Sequence, residues 1–244
     1  MTTASTIGKP RRLRWSLLFR LAAICTSVAP LSVQAADDRW EAAIKAFEQD
    51  DRQTVYPNDA VLFVGSSSIR LWDTLQTDMA PHPVIQRGFG GAATADVVRH
   101  ADRLLGKHQP PAVVLFVAND IRGNSETDLT PAAAAALFAA FIERVHHRVP
   151  DTTLFVVAVT PTASRWHVWP QIRQLNHLLA ARCDELAETV FIPTEDLYLG
   201  QDGRPLDELF RPDRLHLSAA GYALWAKRIR SYLDPLLDSC RRPK

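Results

Sequence analysis

The sequence carries almost no net charge, which argues against several classes of protein. Its 244 residues include 28 Lys and Arg and 27 Asp and Glu, for a formal net charge of +1. Proteins that bind nucleic acids usually show a basic patch or stripe, and no such excess is present, so we expect no nucleic-acid partner. Internal repeats and low-complexity linkers are also absent. With 47% hydrophobic residues, the chain is suited to form one domain with a sizeable core.

Cysteine is scarce, with only three residues, at positions 25, 183 and 240. No close cluster of Cys and His gives the spacing of a zinc site, so we expect neither a metal nor another cofactor. Two cysteines, Cys183 and Cys240, lie outside the N-terminal segment. An exported protein meets an oxidising compartment, and the sequence leaves open whether these two residues pair or remain free thiols.

The N-terminal apolar stretch, Leu21 to Val33, is too short to span a membrane comfortably. It ends in Val33-Gln34-Ala35-Ala36, with the small residues that a signal peptidase requires, and the basic residues Lys9, Arg11, Arg12 and Arg14 precede it. We predict a secretory signal peptide over residues 1–35 and a single domain over residues 36–244. An uncleaved anchor is the alternative. The mature protein would be secreted or periplasmic, with no stable membrane span.

Short apolar runs alternate with longer helical patterns along the mature chain. The apolar runs predict five strands, over residues 60–64, 83–86, 112–117, 153–159 and 189–192. The helical patterns occupy about residues 39–50, 93–106, 131–148, 168–187 and 218–237, and Thr130 and Ser218 are suited to cap two of them. Nearly continuous apolar strands are typical of a parallel sheet buried on both faces. The alternation therefore predicts an α/β fold, a three-layer α/β/α sandwich with a five-stranded parallel sheet.

Chemically useful residues follow these predicted strands. In such folds the functional residues gather at the carboxyl ends of the strands. The first three strands lead into Gly65-Ser66-Ser67-Ser68, Gly88-Phe89-Gly90-Gly91 and Ala118-Asn119-Asp120. A pair, Asp213 and His216, follows the fifth strand in a long loop. We therefore expect four separate segments to meet at one edge of the sheet.

In order along the chain, these segments resemble the signature segments of the SGNH hydrolases, also called the GDSL esterase/lipase superfamily. The resemblance extends from Val61 to about Trp225 and implies a flavodoxin-like fold and activity on esters. It implies that Ser67 is the nucleophile and that Asp213 and His216 are the acid and the base.

The resemblance also implies an oxyanion hole formed by the backbone N–H groups of Ser67 and Gly91 and by the side-chain amide of Asn119. These residue types suit the chemistry. A serine hydroxyl is a weak nucleophile and needs an adjacent base, which His216 would supply. Preorganised donors would stabilise the tetrahedral oxyanion, and glycine allows the backbone to approach a ligand closely.

Two positions depart from the family pattern. Ser66 stands where the family usually has Asp, and Val117 stands where it usually has Gly. A serine side chain can bond locally to a turn, so we expect the nucleophile turn to survive. We expect Val117 to narrow or reshape the edge of the site. Neither change removes a group that performs a chemical step.

A second set of residues is suggested as substrate contacts. Arg165 and Trp166 follow the fourth strand at the same predicted edge. Arg165 could contact an anionic or carbohydrate group, and Trp166 or Trp169 could stack on a sugar ring. The alternative is that Arg165 pairs with a local carboxylate and that the tryptophans pack against a helix. Arg87, just before the glycine segment, is a further hypothesis for a substrate contact.

The first functional hypothesis is a secreted, metal-independent serine esterase that cleaves short-chain acyl esters through an acyl-serine intermediate. Its partner would be a small-molecule or carbohydrate ester, and deacetylation of a carbohydrate is a special case. The resemblance also allows a lysophospholipase or a thioesterase. An inactive binding module of the cell envelope is the alternative from another class, and the changes at Ser66 and Val117 are its support.

Overall fold

The structure is a computed structural model that describes residues 39–241, with the side chains of Cys240 and Arg241 left out. The predicted signal peptide therefore lies outside the described residues. Cys183 is a free, buried thiol, and the side chain of Cys240 lies outside the described part. No helix between residues 39 and 241 is both long enough and apolar enough to cross a membrane.

Five parallel strands form one sheet at the centre of the domain. They are β1 (Val61–Gly65), β2 (Val84–Gly88), β3 (Ala112–Phe116), β4 (Thr153–Val157) and β5 (Thr189–Ile192). Their order across the sheet is β2-β1-β3-β4-β5, which is the flavodoxin-like order. Every residue of β1, β3 and β4 is buried, as the continuous apolar runs predict.

Helices cover both faces of the sheet, so the predicted three-layer sandwich is confirmed. One layer holds α1 (Glu41–Gln53), α4 (Thr94–Arg99), α5 (Ala101–Leu105), α6 (Pro131–Arg148) and α7 (Trp169–Glu185). The other holds α2 (Ser67–Arg70), α3 (Leu75–Asp78), α8 (Glu195–Tyr198) and α9 (Ala219–Arg241). Short 3₁₀ turns span Ala163–Val168 and Asp207–Leu209. Alternate residues of β1 enter the two cores, Leu62 and Val64 on one side and Val61 and Phe63 on the other.

Both predicted helix caps are present. Thr130 accepts a hydrogen bond from the backbone N–H of Ala133, and Pro131 occupies the first turn of α6. The hydroxyl of Ser218 accepts one from the N–H of Gly221, at 3.2 Å. Because each cap satisfies a backbone donor that has no partner within its helix, it fixes where the helix begins.

Two of the differences between predicted and observed elements have a clear physical cause. The single helix predicted over residues 93–106 is instead two helices, which meet at His100, where φ is −98° and ψ is 6°. The break places the buried His100 ring edge-on against Phe89. The fourth strand ends at Val157, two residues early, because the side-chain amide of Asn176 binds both the N–H and the carbonyl of Val159 in place of a neighbouring strand.

The end of β1 lies unusually close to the end of β3. The N–H of Ser66 donates to the carbonyl of Phe116 at 3.1 Å, and a Cβ added to Gly65 would lie 2.0 Å from the same oxygen. No residue larger than glycine fits there unless the strands separate. This contact brings Ser67, the first residue of α2, beside the segment that follows β3.

Candidate functional site

Ser67, His216 and Asp213 form one continuous chain of hydrogen bonds. The hydroxyl of Ser67 lies 2.8 Å from Nε2 of His216, and Nδ1 of His216 lies 2.6 Å from Oδ2 of Asp213. A carboxylate only accepts hydrogen bonds, so Nδ1 carries the proton. In the neutral ring Nε2 is then free to accept the proton of the serine hydroxyl.

The carboxylate of Asp213 is held by its own loop. Its Oδ1 accepts hydrogen bonds from the N–H groups of Leu215 at 3.0 Å and His216 at 2.9 Å. Arg214 makes this turn possible by adopting a left-handed φ of +56°. Burial opposes the charge, but the bonds from the His216 ring and from the two backbone groups outweigh it and lower the pKa of Asp213 from 3.8 to about 2. Asp213 therefore stays ionised at neutral pH.

Neighbouring elements hold the short helix that carries Ser67. The hydroxyl of Tyr222, on α9, donates to the carbonyl of Ser68 at 2.8 Å. The side chain of Gln86, on β2, donates to the carbonyls of Ile69 at 2.6 Å and Trp72 at 3.2 Å. These bonds satisfy the terminal carbonyls of a helix that is too short to stabilise itself.

Asn119 follows β3 and is anchored at both ends of its amide. Its Nδ2 donates to the carbonyl of Ala92 at 2.9 Å, and its Oδ1 accepts from Nη2 of Arg165 at 2.8 Å. An amide nitrogen has two hydrogens, so one of them remains for a ligand. Asn119 and Ser67 line the same small cavity.

Gly91 stands beside this arrangement rather than in the wall of the cavity. Its φ of +79° is in the left-handed region, which explains the choice of glycine. The next residue, Ala92, provides the carbonyl that binds Asn119. The Gly91 carbonyl itself accepts a hydrogen bond from Arg39 at 3.3 Å. The lining of the cavity, within the described residues, does not include Gly91.

The cavity beside Ser67 is very small. The space open to the centre of a water-sized sphere is about 20 Å³, which suffices for about one water molecule. Four apolar side chains form part of its wall: Phe116, Ala118, Leu215 and Leu217. The rest of the wall is polar: Ser66, Ser67, Ser68, Asn119, Thr160, Thr162, Arg165 and His216. The hydroxyl of Thr160 is buried and has no hydrogen-bond partner within the described structure.

Two of the three suggested substrate contacts do not lie in the site. Arg87 is not a substrate contact, so that hypothesis is wrong. Its side chain is 1% exposed and points into the helix layer that contains α1, where it pairs with Asp51. Breaking such a buried pair costs about 3–5 kcal/mol, so its role is structural. Trp166 stacks on Trp169 with ring centroids 6.0 Å apart, and it does not line the cavity. The tryptophans pack as the alternative interpretation predicts.

Arg165 lines the cavity, but its guanidinium binds protein atoms. Its Nη1 donates to the carbonyl of Ala118, and Nη2 donates to Asn119. The predicted partner, a local carboxylate, is absent among the described residues. Burial lowers the pKa of Arg165 to about 10.

The two departures from the family pattern have different outcomes. The nucleophile turn survives, but backbone bonds hold it, since the side chain of Ser66 makes no capping bond. The N–H of Arg70 donates to the carbonyl of Ser66 at 3.1 Å. Val117 is fully buried in the core and does not line the cavity, so the expected narrowing of the site is wrong.

Sequence reasoning missed the role of Asp120. Its carboxylate accepts hydrogen bonds from the N–H of Thr94 at 3.0 Å and from the Thr94 hydroxyl at 2.6 Å. Burial raises the pKa of Asp120, and the bonds from Thr94 partly oppose the shift. The pair ties the start of α4, just after the glycine segment, to the residue beside Asn119. An Asn-Asp dipeptide after a strand was the available signal.

We expect the carboxyl group of Asp213 to titrate near pH 2 in the folded protein, as measured by carboxyl ¹³C NMR. The folded-state pKa is below the unfolded value of 3.8. The hydrogen bonds of Asp213 therefore stabilise the fold above about pH 4, and this contribution is lost as the pH falls through about 2. The substitution His216→Ala removes one of these bonds and should raise the pKa of Asp213. An unchanged titration in that variant would contradict this assignment, and Leu215→Ala, which keeps all three donors, is the control.

Comparison with known proteins gives a family and a set of related structures. The sequence matches the model of the GDSL-like Lipase/Acylhydrolase family over residues 64–224. No curated protein was found to match the sequence.

Several solved structures share the fold at low sequence identity. A protein from Streptococcus pneumonia, provisionally named a platelet activating factor, has a TM-score of 0.70 at 22% identity, over 79% of this chain and 92% of that one. A GDSL-like lipase from Bacteroides thetaiotaomicron has a TM-score of 0.66 at 16% identity, over 79% and 97%. An acetylxylan esterase from Geobacillus stearothermophilus has a TM-score of 0.60 at 13% identity, over 72% and 94%.

Identities this low establish a shared fold and nothing more. The family match is more specific, because it extends over more than half of the chain and includes Ser67, Gly91, Asn119, Asp213 and His216. With all four segments at one edge of a flavodoxin-like sheet, the chain belongs to the GDSL-like lipase/acylhydrolase family.

Proposed function

We propose that this protein is a serine esterase that cleaves short-chain acyl esters through an acyl-Ser67 intermediate. The observation that carries the proposal is the hydrogen-bond chain from Ser67 through His216 to Asp213, with its lengths of 2.8 and 2.6 Å. Membership of an acylhydrolase family supports ester hydrolysis as the reaction.

The geometry suggests how acylation proceeds. Nε2 of His216 takes the proton of Ser67 as Oγ bonds to the ester carbonyl carbon. The ionised carboxylate of Asp213 stabilises the imidazolium that forms. When the tetrahedral intermediate collapses, the C–O bond to the alcohol breaks, and the same proton passes from His216 to the departing oxygen.

Deacylation would use the same groups a second time. Nε2 of His216 accepts a proton from a water molecule, and the oxygen of the hydroxide so formed bonds to the acyl carbon. The bond to Oγ then breaks, Ser67 recovers its proton, and the free acid leaves. Both tetrahedral intermediates carry a negative oxygen, for which the free hydrogen of the Asn119 amide and the N–H of Ser67 are the nearest proposed donors. Each donor of this kind is worth about 10²–10³ in rate.

Gly91 remains a proposed third donor. Its backbone is adjacent to the Ala92 carbonyl that orients Asn119, so a small movement of this turn on substrate binding would bring its N–H toward the oxyanion. In unliganded enzymes such contacts are often long and shorten only in the complex.

Replacing the proposed nucleophile tests the assignment directly. We expect Ser67→Ala to lower the hydrolysis of p-nitrophenyl acetate on the order of 10⁴-fold or more, because the nucleophile is lost and only weaker effects remain. The controls Ser66→Ala and Ser68→Ala should stay within about tenfold of the wild type, since neither hydroxyl contacts His216. Equal activity in Ser67→Ala and the wild type would contradict the proposal.

Labelling by a fluorophosphonate separates the esterase from the inactive binding module. An active site should form a covalent adduct at Ser67, which mass spectrometry of tryptic peptides would locate. An absence of label in a correctly folded wild-type protein would favour the binding module. Lack of label on Ser67→Ala serves as the specificity control.

The size of the cavity supports a preference for acetyl groups. A volume of about 20 Å³ beside Ser67 leaves little room for a chain longer than acetyl. A longer chain would have to displace packed side chains, which typically costs about 1–3 kcal/mol. The related acetylxylan esterase makes a carbohydrate acetate a reasonable natural substrate, and lysophospholipids and long-chain thioesters fit the cavity less well.

A series of p-nitrophenyl esters tests this preference. We expect kcat/KM for acetate to exceed that for butanoate by about 10–100-fold, which is the rate equivalent of the overpacking cost. Leu215→Ala enlarges the cavity and should reduce this ratio. Leu224→Ala, on α9 and outside the cavity lining, is the matched control. Faster cleavage of octanoate than of acetate by the wild type would contradict the preference and favour a lipase or lysophospholipase.

We also propose export, from the N-terminal sequence alone. A positively charged start, an apolar stretch and small residues before Ala36 are typical of a signal peptide. N-terminal sequencing of protein recovered from the periplasm or the medium should begin at Ala36. An intact N-terminus on the protein, found only inside the cell, would contradict this proposal.

A further inference from the structure

We propose that Arg165 is a positioning residue of the oxyanion hole, whose guanidinium fixes the side-chain amide of Asn119 so that one N–H points at the developing oxyanion. This inference rests on the proposed esterase function. It assigns Arg165 to the protein's own catalytic framework rather than to the substrate.

The guanidinium of Arg165 spans two consecutive residues at the end of β3. Nη1 donates to the carbonyl of Ala118, and Nη2 donates to Oδ1 of Asn119 at 2.8 Å. Arg165 itself lies in the 3₁₀ turn that follows β4. A planar guanidinium with several fixed donors is suited to hold two acceptors at once, which a lysine ammonium does less well.

These contacts leave the amide of Asn119 only one orientation. Its oxygen faces a cation, and its nitrogen faces the carbonyl of Ala92. A flipped amide would place NH₂ against the guanidinium and oxygen against oxygen, losing both bonds. In the observed orientation the second N–H remains available on the side of the cavity that Ser67 also lines. The positive charge of the guanidinium beside Oδ1 also polarises the amide, which makes this N–H a stronger donor.

The charge of Arg165 has no carboxylate partner in the described part of the chain. Only 9% of the residue is exposed. The nearest carboxylates have other partners, because Asp120 accepts from Thr94 and Asp128 accepts from three backbone N–H groups. Although burial lowers its pKa to about 10, Arg165 stays protonated at neutral pH. The positive charge acts on the oxyanion through the Asn119 amide that it holds and polarises, and this favours the transition state over the ground state.

A substrate contact and a positioning role predict different kinetics. Both terminal nitrogens of Arg165 already bind protein acceptors, so losing the guanidinium should not weaken substrate binding. The loss should appear in kcat, with KM changed less than about twofold, because the interaction develops only in the transition state. The effect should also depend on Asn119, through which Arg165 acts.

A double-mutant cycle with p-nitrophenyl acetate tests this dependence. We expect Arg165→Met to lower kcat by about 10–100-fold, less than the factor of about 10²–10³ for removing one oxyanion donor outright, because the Asn119 amide remains. In the Asn119→Ala background the same substitution should lower kcat by less than about threefold, because the group that it positions is already gone. Arg165→Lys keeps the charge but not the two-acceptor geometry, and it should give an intermediate loss. Arg173→Met, which breaks an exposed pair with Glu195, is the matched control and should leave kcat unchanged.

If Arg165→Met lowered kcat by the same factor in both backgrounds, the inference would be overturned. A rise in KM at constant kcat would also overturn it, because that result would indicate a substrate contact. If Arg165→Met does not fold, as judged by circular dichroism and thermal melting, the cycle of Arg165→Lys with Asn119→Ala decides in the same way. The proposed function is tested separately, because Ser67→Ala must first abolish the wild-type rate. If the wild type has no Ser67-dependent activity, the esterase proposal itself fails. That failure is distinct from a failed double-mutant cycle, which would overturn only the role of Arg165.

Discussion

The close contact between the ends of β1 and β3 is the constraint on which the site depends. A Cβ at Gly65 would lie 2.0 Å from the carbonyl oxygen of Phe116, so the two strands reach this separation only with glycine. The next N–H, from Ser66, binds that same carbonyl. As a result Ser67 and Asn119, 52 positions apart in sequence, start from adjacent points of the sheet. Their distance is set by backbone geometry and not by flexible side chains.

Opposite charges stand at the two ends of the proposed reaction centre. Asp213 is an anion stabilised by three hydrogen bonds, and it faces the ring that takes up a proton. Arg165 is a buried cation on the side where the ester oxygen becomes negative. In the proposed reaction, the imidazolium of His216 would form beside Asp213, and the oxyanion would form beside the Asn119 amide that Arg165 holds. Little reorganisation is then needed at the moment of reaction.

The features that could be predicted from the sequence are local or repeat along the chain. Apolar runs located all five strands, since a strand buried on both faces needs continuous apolar residues. Thr130 and Ser218 marked helix starts because a cap depends on residues only three positions apart. The residues that meet in the site could also be predicted, because Ser67 and Asn119 follow recognisable strands and the Asp213/His216 pair precedes a recognisable helix.

The features that could not be predicted depend on which layer a side chain enters. Arg87 and Arg165 both lie at or just beyond the end of a strand, and nothing local distinguishes them. Arg87 alternates with Gln86 along β2 and so faces α1, where it pairs with Asp51. Arg165 lies on a turn over β3 and meets Asn119. Each partner is more than 30 residues away in sequence, so its identity emerges only when the layers pack together.

The bond from Tyr222 to the Ser68 carbonyl makes α9 a support of Ser67, the proposed nucleophile. Tyr222 and Trp225 both stack against Trp72, just after the helix of Ser67, so the first turns of α9 and the nucleophile turn share one aromatic cluster. Local opening of these turns would release Ser67 from its fixed position, while fraying beyond Leu237 leaves the cluster intact. During synthesis the carbonyl of Ser68 is therefore made 154 residues before the hydroxyl that holds it, and the turn of Ser67 gains its fixed position only once the first turns of α9 have packed.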